Sequence, residues 1–147
     1  MSITLIDLAD LQPIKQGDNP FKIPFFLESV SAGFPSPAQD FVEKRLDVND
    51  LCEVDQKNCF LVTVSGESMI NAGIHDGDVL VVNRALKARH GDFVVATIYG
   101  EQTVKELHTK SVARLMPHNK DFKPIYINEE SELLINGVVT SVVRVLK

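Results

Sequence analysis

The chain has 147 residues, of which 44% are hydrophobic and 24% charged, which is enough apolar material for one domain with a packed core. Its formal net charge of −5 excludes the basic surface on which generic nucleic-acid affinity depends, so we expect little direct contact with DNA. No apolar run approaches the roughly 20 residues needed to cross a bilayer, and we expect no membrane association.

The N-terminal sequence and the cysteines predict the compartment. The first residues, MSITLIDLADLQPIK, lack the basic flank and continuous apolar core of a signal peptide. Cys52 and Cys59 form neither a C-x-x-C pair nor part of a Cys/His cluster. We therefore expect two free, buried thiols in a reducing, cytoplasmic environment, with no metal and no cofactor.

The N-terminal quarter of the chain combines prolines with apolar clusters. Pro13, Pro20, Pro24 and Pro35 exclude a long helix or a central strand, while the apolar residues argue against simple disorder. We expect an extended arm over residues 1–38 that docks on an apolar surface, followed by a β-rich domain over residues 39–147. Within that domain, residues 41–46 are ambiguous between a strand and a helical turn.

From Phe60 onward, segments rich in Val, Ile, Thr and aromatic residues alternate with turn-forming sequences such as AGIHDGD and ARHGD. Short strands at this spacing predict a mainly β fold of folded-over antiparallel sheets with little helix. Gly137 interrupts the last segment, which is either two strands or one strand with a bulge. The predicted strands are residues 60–64, 79–83, 93–99, 102–107, 111–116, 124–127 and 133–146.

Ser68 lies in VSGESMINAGIHDGD, just after a predicted strand. Gly66 permits a sharp backbone turn, which can lift a serine out of the sheet and leave neighbouring N–H groups free for an oxyanion. A serine after a strand more often only caps a helical turn or closes a loop. Position alone therefore favours the structural role over the catalytic one.

Lys105 interrupts the strand-like segment EQTVKELH. A lysine in a strand is usually a solvated residue on a sheet face, because lysine is rarely buried unless it is paired. As a general base it would have to be desolvated and neutral, so that its amine could accept the proton of a serine hydroxyl. Lowering a lysine pKa from about 10.4 to about 7.5 costs about 4 kcal/mol, which only an apolar site would sustain.

The other candidate groups carry weaker signals. The four histidines show no metal-binding spacing, and a Ser-His-Asp triad is not marked although the residue types are present. Asp76, Gly77 and Asp78 fit a turn better than a calcium loop, because the EF-hand spacing and its closing Glu are missing. The four histidines that lack a metal-binding spacing are His75, His90, His108 and His118.

Three segments in the same order resemble one family. They are SGESMINAGIHDGDVLVVN, ARHGDFVVATIYGEQTVKEL and LMPHNKDFKPI, preceded by AGFPSP near the N-terminus. Together they resemble the LexA/UmuD group of self-cleaving serine–lysine peptidases, from about Ser31 to the C-terminus. The resemblance implies that group's mainly β peptidase fold.

The same resemblance implies roles for individual residues. Ser68 aligns with the family's nucleophile and Lys105 with its general base. Ala32 and Gly33 align with the residues that flank the cleaved bond, and the backbone N–H groups of Ser68 and Glu67 with the oxyanion hole. Many UmuD members have Cys before the scissile Gly, so Ala32 is more similar to LexA and to the plasmid-borne MucA-like members.

Because only 32 residues broken by prolines precede the Ala32–Gly33 bond, we expect no helix-turn-helix domain and favour UmuD over LexA. The resemblance then implies cleavage stimulated by a RecA filament in the SOS response. It also implies a truncated homodimer that joins a UmuC-like Y-family polymerase for translesion synthesis. The alternatives are a LexA-like repressor, a signal-peptidase-like enzyme acting in trans, and a non-catalytic β-rich adaptor.

Overall fold

A computed structural model describes residues 19–26, 29–34 and 44–147 of the chain. The chain divides into two compact units, Met1–Leu51 and Cys52–Lys147. The predicted boundary at residue 38 and the extended conformation expected at Pro35 and Pro37 lie outside the described residues.

The first unit contains a small antiparallel sheet. Strand β1 (Ile23–Phe25) pairs with β2 (Lys44–Leu46), so that Pro24 lies opposite Arg45. Proline is tolerated here because each strand of a two-stranded sheet is an edge strand. A single helical turn, α1 (Val48–Leu51), follows and is capped by Asp47, whose Oδ1 accepts the Asp50 N–H at 2.7 Å. The ambiguous stretch before it is thus a strand where the structure describes it.

The second unit is built on one 7-stranded antiparallel sheet with the order β3-β4-β9-β5-β6-β7-β8. All seven strands fall within a few residues of the segments predicted from the sequence. Their bounds are β3 (Cys59–Thr63), β4 (Val79–Asn83), β5 (Phe93–Ile98), β6 (Glu101–His108), β7 (Arg114–Met116), β8 (Ile125–Tyr126) and β9 (Leu134–Val143).

Helix is scarce in the described residues. Besides α1 there are two 3-10 turns, Ile70–Ala72 and Glu129–Ser131. None of the helices described has the length and apolar character needed to cross a membrane. The prediction of a mainly β fold of antiparallel sheets with little helix is confirmed.

Strand β9 runs through Gly137 as one strand of 10 residues and pairs with β4 on one side and β5 on the other. The register shifts once against each neighbour, so β9 is one strand with bulges rather than two strands. Glycine is required at position 137 by close approach: an added Cβ would lie 2.6 Å from Val82 Cγ1 and 3.0 Å from the Asn83 carbonyl oxygen.

The sheet supports two hydrophobic clusters. One contains Val64, Met69 and Ile74 from the connection between β3 and β4, together with Leu80, Val82 and Val95 from the strands. The other contains Val94, Ala96, Ile98, Leu107, Leu115 and Val138. Because Val94 and Val95 are neighbours in β5 but belong to different clusters, the two faces of this strand are both covered. The first cluster supports the turn that carries Ser68.

Candidate active site

Ser68 lies in a compact turn, residues 65–73, that we call the serine turn. Gly66 has φ +93°, a left-handed conformation that glycine adopts at low cost, and its N–H donates to Asp76 Oδ1 at 2.7 Å. Met69, directly after the serine, is only 1% exposed and anchors the turn in the first cluster. The sharp turn predicted at Gly66 is therefore present, with Ser68 itself half-buried.

A second turn closes the segment that follows. The Asp78 N–H donates to the His75 carbonyl at 3.0 Å, and Gly77 has φ +88°. The Asp78 carboxylate accepts the His75 N–H at 2.8 Å and pairs with the Arg144 guanidinium at 2.6 Å. Residues 76–78 thus form the predicted turn, tied to the chain beyond β9.

Lys105 reaches the serine turn from β6. Its side-chain nitrogen Nζ donates to Ser68 Oγ at 2.9 Å, to Thr103 Oγ1 at 2.6 Å and to the Val104 carbonyl at 3.1 Å. The residue is only 7% exposed. The fold thus brings together two side chains that are 37 positions apart in the sequence, within direct hydrogen-bonding distance.

Burial lowers the pKa of Lys105 below its ordinary value. Within the described residues, no carboxylate oxygen comes within 4.0 Å of its nitrogen, so no ion pair offsets this effect. All its hydrogen-bond acceptors are neutral oxygens. The surroundings therefore favour a larger neutral fraction of the amine than in an exposed lysine.

Hydrogen bonds to the carbonyl groups of Glu67 and Ser68 hold the backbone at the serine in place. Asn119 Nδ2 donates to the Glu67 carbonyl at 3.0 Å, and the His118 N–H donates to the Ser68 carbonyl at 2.8 Å. In turn, the Asn71 N–H donates to the His118 carbonyl at 2.8 Å. The N–H groups of Glu67 and Ser68 have no acceptor among the residues that the structure describes. An oxyanion hole requires N–H groups that have no other acceptor.

His118 is fixed from its other end by Glu106. Glu106 Oε2 lies 2.6 Å from His118 Nε2, and Oε1 contacts His108 Nε2. The Phe93 ring meets the His118 ring edge-on, with the ring centroids 5.5 Å apart. Burial alone would raise the pKa of Glu106, but the two histidine hydrogen bonds hold it below its usual value.

The residues expected to flank a cleaved bond lie in the first unit. Ser31, Ala32, Gly33 and Phe34 are all exposed, and the Gly33 N–H donates to Ser31 Oγ at 3.3 Å. A Cβ added at Gly33 would meet nothing within 4 Å. Ala32 and Gly33 therefore present accessible backbone, and substitutions at Gly33 meet no steric conflict in this unit.

Sequence reasoning assigned no role in this site to three of its residues, Thr103, His118 and Asn119. Thr103 is two residues before Lys105, and the alternation of a strand would have placed both side chains on one face. His118 and Asn119 lie in LMPHNKDFKPI, one of the segments that resemble the family, but this segment does not indicate the hydrogen bond from Asn119 to Glu67, 52 positions away. Only the folded sheet brings the 117–119 segment next to the serine turn.

The remaining candidates form no metal site in the part of the chain that the structure describes. Within the described residues, no group of three or more His, Cys, Asp or Glu side chains is arranged to hold a metal ion. Cys52 and Cys59 are free, as predicted, but both are partly exposed. The expectation that they are buried was wrong, because neither thiol is enclosed in the two hydrophobic clusters.

Comparison with known proteins gives consistent matches over most of the chain. A profile of the Peptidase S24-like family matches residues 24–140. Protein MucA of Salmonella typhimurium is 49% identical over 119 residues, covering 80% of this chain and 82% of MucA. Protein ImpA of Escherichia coli is 43% identical over 130 residues, covering 87% and 88%. The LexA repressor of Thiobacillus denitrificans is 39% identical over 117 residues, covering 78% of this chain and 58% of the repressor.

Proposed function

Because the chain belongs to the Peptidase S24-like family, we propose that it is a self-cleaving serine endopeptidase that cuts its own Ala32–Gly33 bond. The observation that carries the proposal is the 2.9 Å contact between Lys105 Nζ and Ser68 Oγ in a buried setting. A serine with an adjacent amine base is the minimal machinery for acyl transfer.

The first step is attack by the serine. Thr103 Oγ1 and the Val104 carbonyl accept two N–H bonds of the neutral Lys105 amine, which leaves its lone pair for the Ser68 hydroxyl. Lys105 takes the Ser68 proton as Oγ bonds to the Ala32 carbonyl carbon. The resulting oxyanion is bound by the N–H groups of Ser68 and Glu67.

Breakdown of the tetrahedral intermediate completes the cut. Lys105 returns the proton to the Gly33 nitrogen as the carbon–nitrogen bond breaks, which leaves an ester between Ala32 and Ser68. A water molecule, deprotonated by Lys105, then hydrolyses the ester and regenerates Ser68. The products are residues 1–32, with a new carboxylate on Ala32, and a truncated chain that begins at Gly33.

We infer a regulated rather than a constitutive reaction. The bond proposed to be cut lies in the unit Met1–Leu51, and the serine–lysine pair lies in the unit Cys52–Lys147. An unperturbed lysine is neutral in only about one molecule in 2,500 at pH 7, and burial raises that fraction for Lys105, so further desolvation of its amine would speed cleavage. An activator need only favour the docked conformation.

The physiological setting follows from the family resemblance. We propose that a RecA filament on single-stranded DNA stimulates cleavage after DNA damage. The truncated homodimer then serves a UmuC-like error-prone polymerase. The matches to MucA and ImpA support this over a LexA-like repressor, because they are 49% and 43% identical to this chain, against 39% for the LexA repressor. Binding to a palindromic operator would favour the repressor.

The decisive experiment follows the mass of the purified protein during incubation at about pH 10, where roughly a quarter of an ordinary lysine is already neutral and a larger share of one with a lowered pKa. We expect two fragments, one beginning at Met1 and one at Gly33. Ser68→Ala and Lys105→Ala should each abolish both. Cleavage by either variant at the same bond would contradict the assignment of the serine–lysine pair.

A matched experiment tests the bond itself. Gly33→Glu should block cleavage by placing a large charged side chain at the scissile position, although it meets no steric conflict in its own unit. Normal processing of this variant would show that the cut lies elsewhere. An unchanged mass of the wild-type chain, at high pH and with RecA, nucleotide analogue and single-stranded DNA, would favour the non-catalytic adaptor.

A further inference from the structure

The side-chain amide of Asn119 contacts the peptide group that contains the Ser68 N–H. Asn119 Nδ2 donates to the Glu67 carbonyl at 3.0 Å. The Glu67 carbonyl and the Ser68 N–H belong to one planar, trans peptide unit and point in opposite directions. A group that fixes the direction of this carbonyl therefore also fixes the direction of the N–H.

Asn119 is itself held in place. Its Oδ1 accepts the Asp121 N–H at 3.0 Å, which closes a local Asx turn and directs the amide nitrogen towards Glu67. One end of the side chain thus anchors it to its own segment, and the other reaches the serine turn. The contact is specific to an amide, because it uses an acceptor and a donor at once.

The other bonds of the serine turn do not replace this contact. The Ile70 N–H also donates to the Glu67 carbonyl, at 3.2 Å, but it belongs to the same turn and moves with it. The His118 N–H, from the same segment as Asn119, holds the next peptide unit through the Ser68 carbonyl at 2.8 Å. Asn119 and His118 together tie two successive peptide units to a segment outside the turn.

We propose that Asn119 is a positioning residue for the oxyanion hole: through the Glu67–Ser68 peptide unit it orients the Ser68 N–H towards the developing oxyanion. This inference rests on the proposed self-cleavage and names the residue on which its transition-state stabilisation depends. The hydrogen bonds of the Asn119 side chain go to Glu67 and Asp121, and neither goes to the lysine base. It acts before the reaction, by removing the cost of reorienting the amide.

The test compares Asn119→Asp with wild type in alkaline self-cleavage, by measuring the first-order rate constant across a range of pH. The aspartate retains the acceptor for the Asp121 N–H, but it loses the donor and turns a carboxylate oxygen towards the Glu67 carbonyl. We expect the rate at the high-pH plateau to fall about tenfold, the effect of losing one hydrogen bond of ordinary strength. The midpoint of the pH profile should not move, because it belongs to Lys105.

Two controls separate positioning from general loosening of the site. Lys120→Ala changes the exposed neighbour and leaves both Asn119 bonds in place, so it should cleave at the wild-type rate. In a Ser68→Ala background, Asn119→Asp should unfold in urea close to its parent. If the aspartate variant does not fold, Asn119→Ala, which brings no charge, takes its place and should show the same fall in plateau rate.

A plateau rate within twofold of wild type in the asparagine variant would overturn the inference while leaving self-cleavage intact. A fall accompanied by a shifted midpoint or by a matching loss of stability would also overturn it, since that pattern indicates a structural role. Absence of cleavage in wild type itself would instead contradict the proposed function. The two failures are therefore distinguishable.

Discussion

At Lys105, three oxygen acceptors surround one buried nitrogen, and two of them are not the nucleophile. A protonated amine fills all three with its N–H bonds, whereas a neutral amine fills two and presents a lone pair to the third. Thr103, at 2.6 Å, is the closest of the three. Its hydroxyl therefore both stabilises the ammonium form and orients the neutral form.

Thr103→Val separates these two effects, because valine has the shape of threonine without the hydroxyl. Losing an acceptor destabilises the ammonium, so the midpoint of the cleavage profile should move to lower pH. The plateau rate should fall about tenfold, because the amine is no longer held towards Ser68. The rate constant of alkaline self-cleavage, followed across pH by mass spectrometry, measures both.

Thr103→Ser is the matched control, since it keeps the hydroxyl and should retain most of the wild-type rate. A valine variant with an unchanged midpoint and plateau would show that Thr103 does not act on the amine. The residue was within reach of sequence reasoning, because T-V-K places Thr103 and Lys105 two positions apart on one strand. The burial that lowers the pKa of Lys105 was not, because it depends on distant chain segments.

Among the strands, β9 has the strictest steric requirement. Gly137 faces Val82 and the Asn83 carbonyl of β4, with no room for a methyl group. The sequence left two interpretations of this glycine, an interrupted strand or a bulge, because glycine is compatible with both. Pairing with β4 and β5 on opposite sides selects the single bulged strand.

Gly137→Ala should lower the free energy of unfolding by about 1–3 kcal/mol, because an added Cβ 2.6 Å from Val82 Cγ1 forces the two strands apart. Urea unfolding in a Ser68→Ala background measures the change without interference from cleavage. Gly33→Ala is the matched control: its Cβ meets nothing within 4 Å, so stability should hardly change. Equal midpoints for the two alanine variants would contradict the account.

Local composition was enough to predict where the strands lie in the sequence. It was not enough to predict the order in which the strands lie in the sheet. Alternating apolar segments and turn signals located β4 at residues 79–83, as observed. The approach of Asn119 to Glu67, by contrast, depends on how β6, β7 and the following loop are placed beside the serine turn. No periodicity in the sequence encodes a contact of that kind.

For the whole second unit, the Asp78–Arg144 pair joins the turn before β4 to the chain after β9. The carboxylate is only 2% exposed, whereas the guanidinium is 45% exposed. Hydrogen bonds from Arg144 and from the His75 N–H lower the pKa of Asp78 to about 2. In the unfolded chain the pKa of an aspartate is about 3.9. The folded state therefore stabilises the ionised carboxylate of Asp78 relative to the unfolded chain.

Because of the Asp78–Arg144 pair, the free energy of unfolding depends on pH in the acid range. Its contribution is complete above about pH 4 and is lost as the pH falls through the folded pKa of about 2. Asp78→Asn should lower the melting temperature at neutral pH and flatten its decline between about pH 4 and 2. Thermal unfolding across pH in a Ser68→Ala background tests this.

Asp121→Asn makes the same chemical change on an exposed residue and should follow the wild-type pH dependence. If Asp78→Asn lost stability in acid as steeply as wild type, the acid sensitivity would belong to other carboxylates. The low pKa itself could not have been predicted from sequence, since Arg144 is 66 positions from Asp78.

The position of β9 at the centre of the sheet has a consequence for the order of events during protein synthesis. Strands β3 and β4, which flank the serine turn, and strands β5 to β8, which include the lysine strand, are joined side by side only through β9. A ribosome makes both groups before it makes β9. The sheet that carries Ser68 and Lys105 on its two groups of strands is therefore completed only when that last strand has emerged and paired.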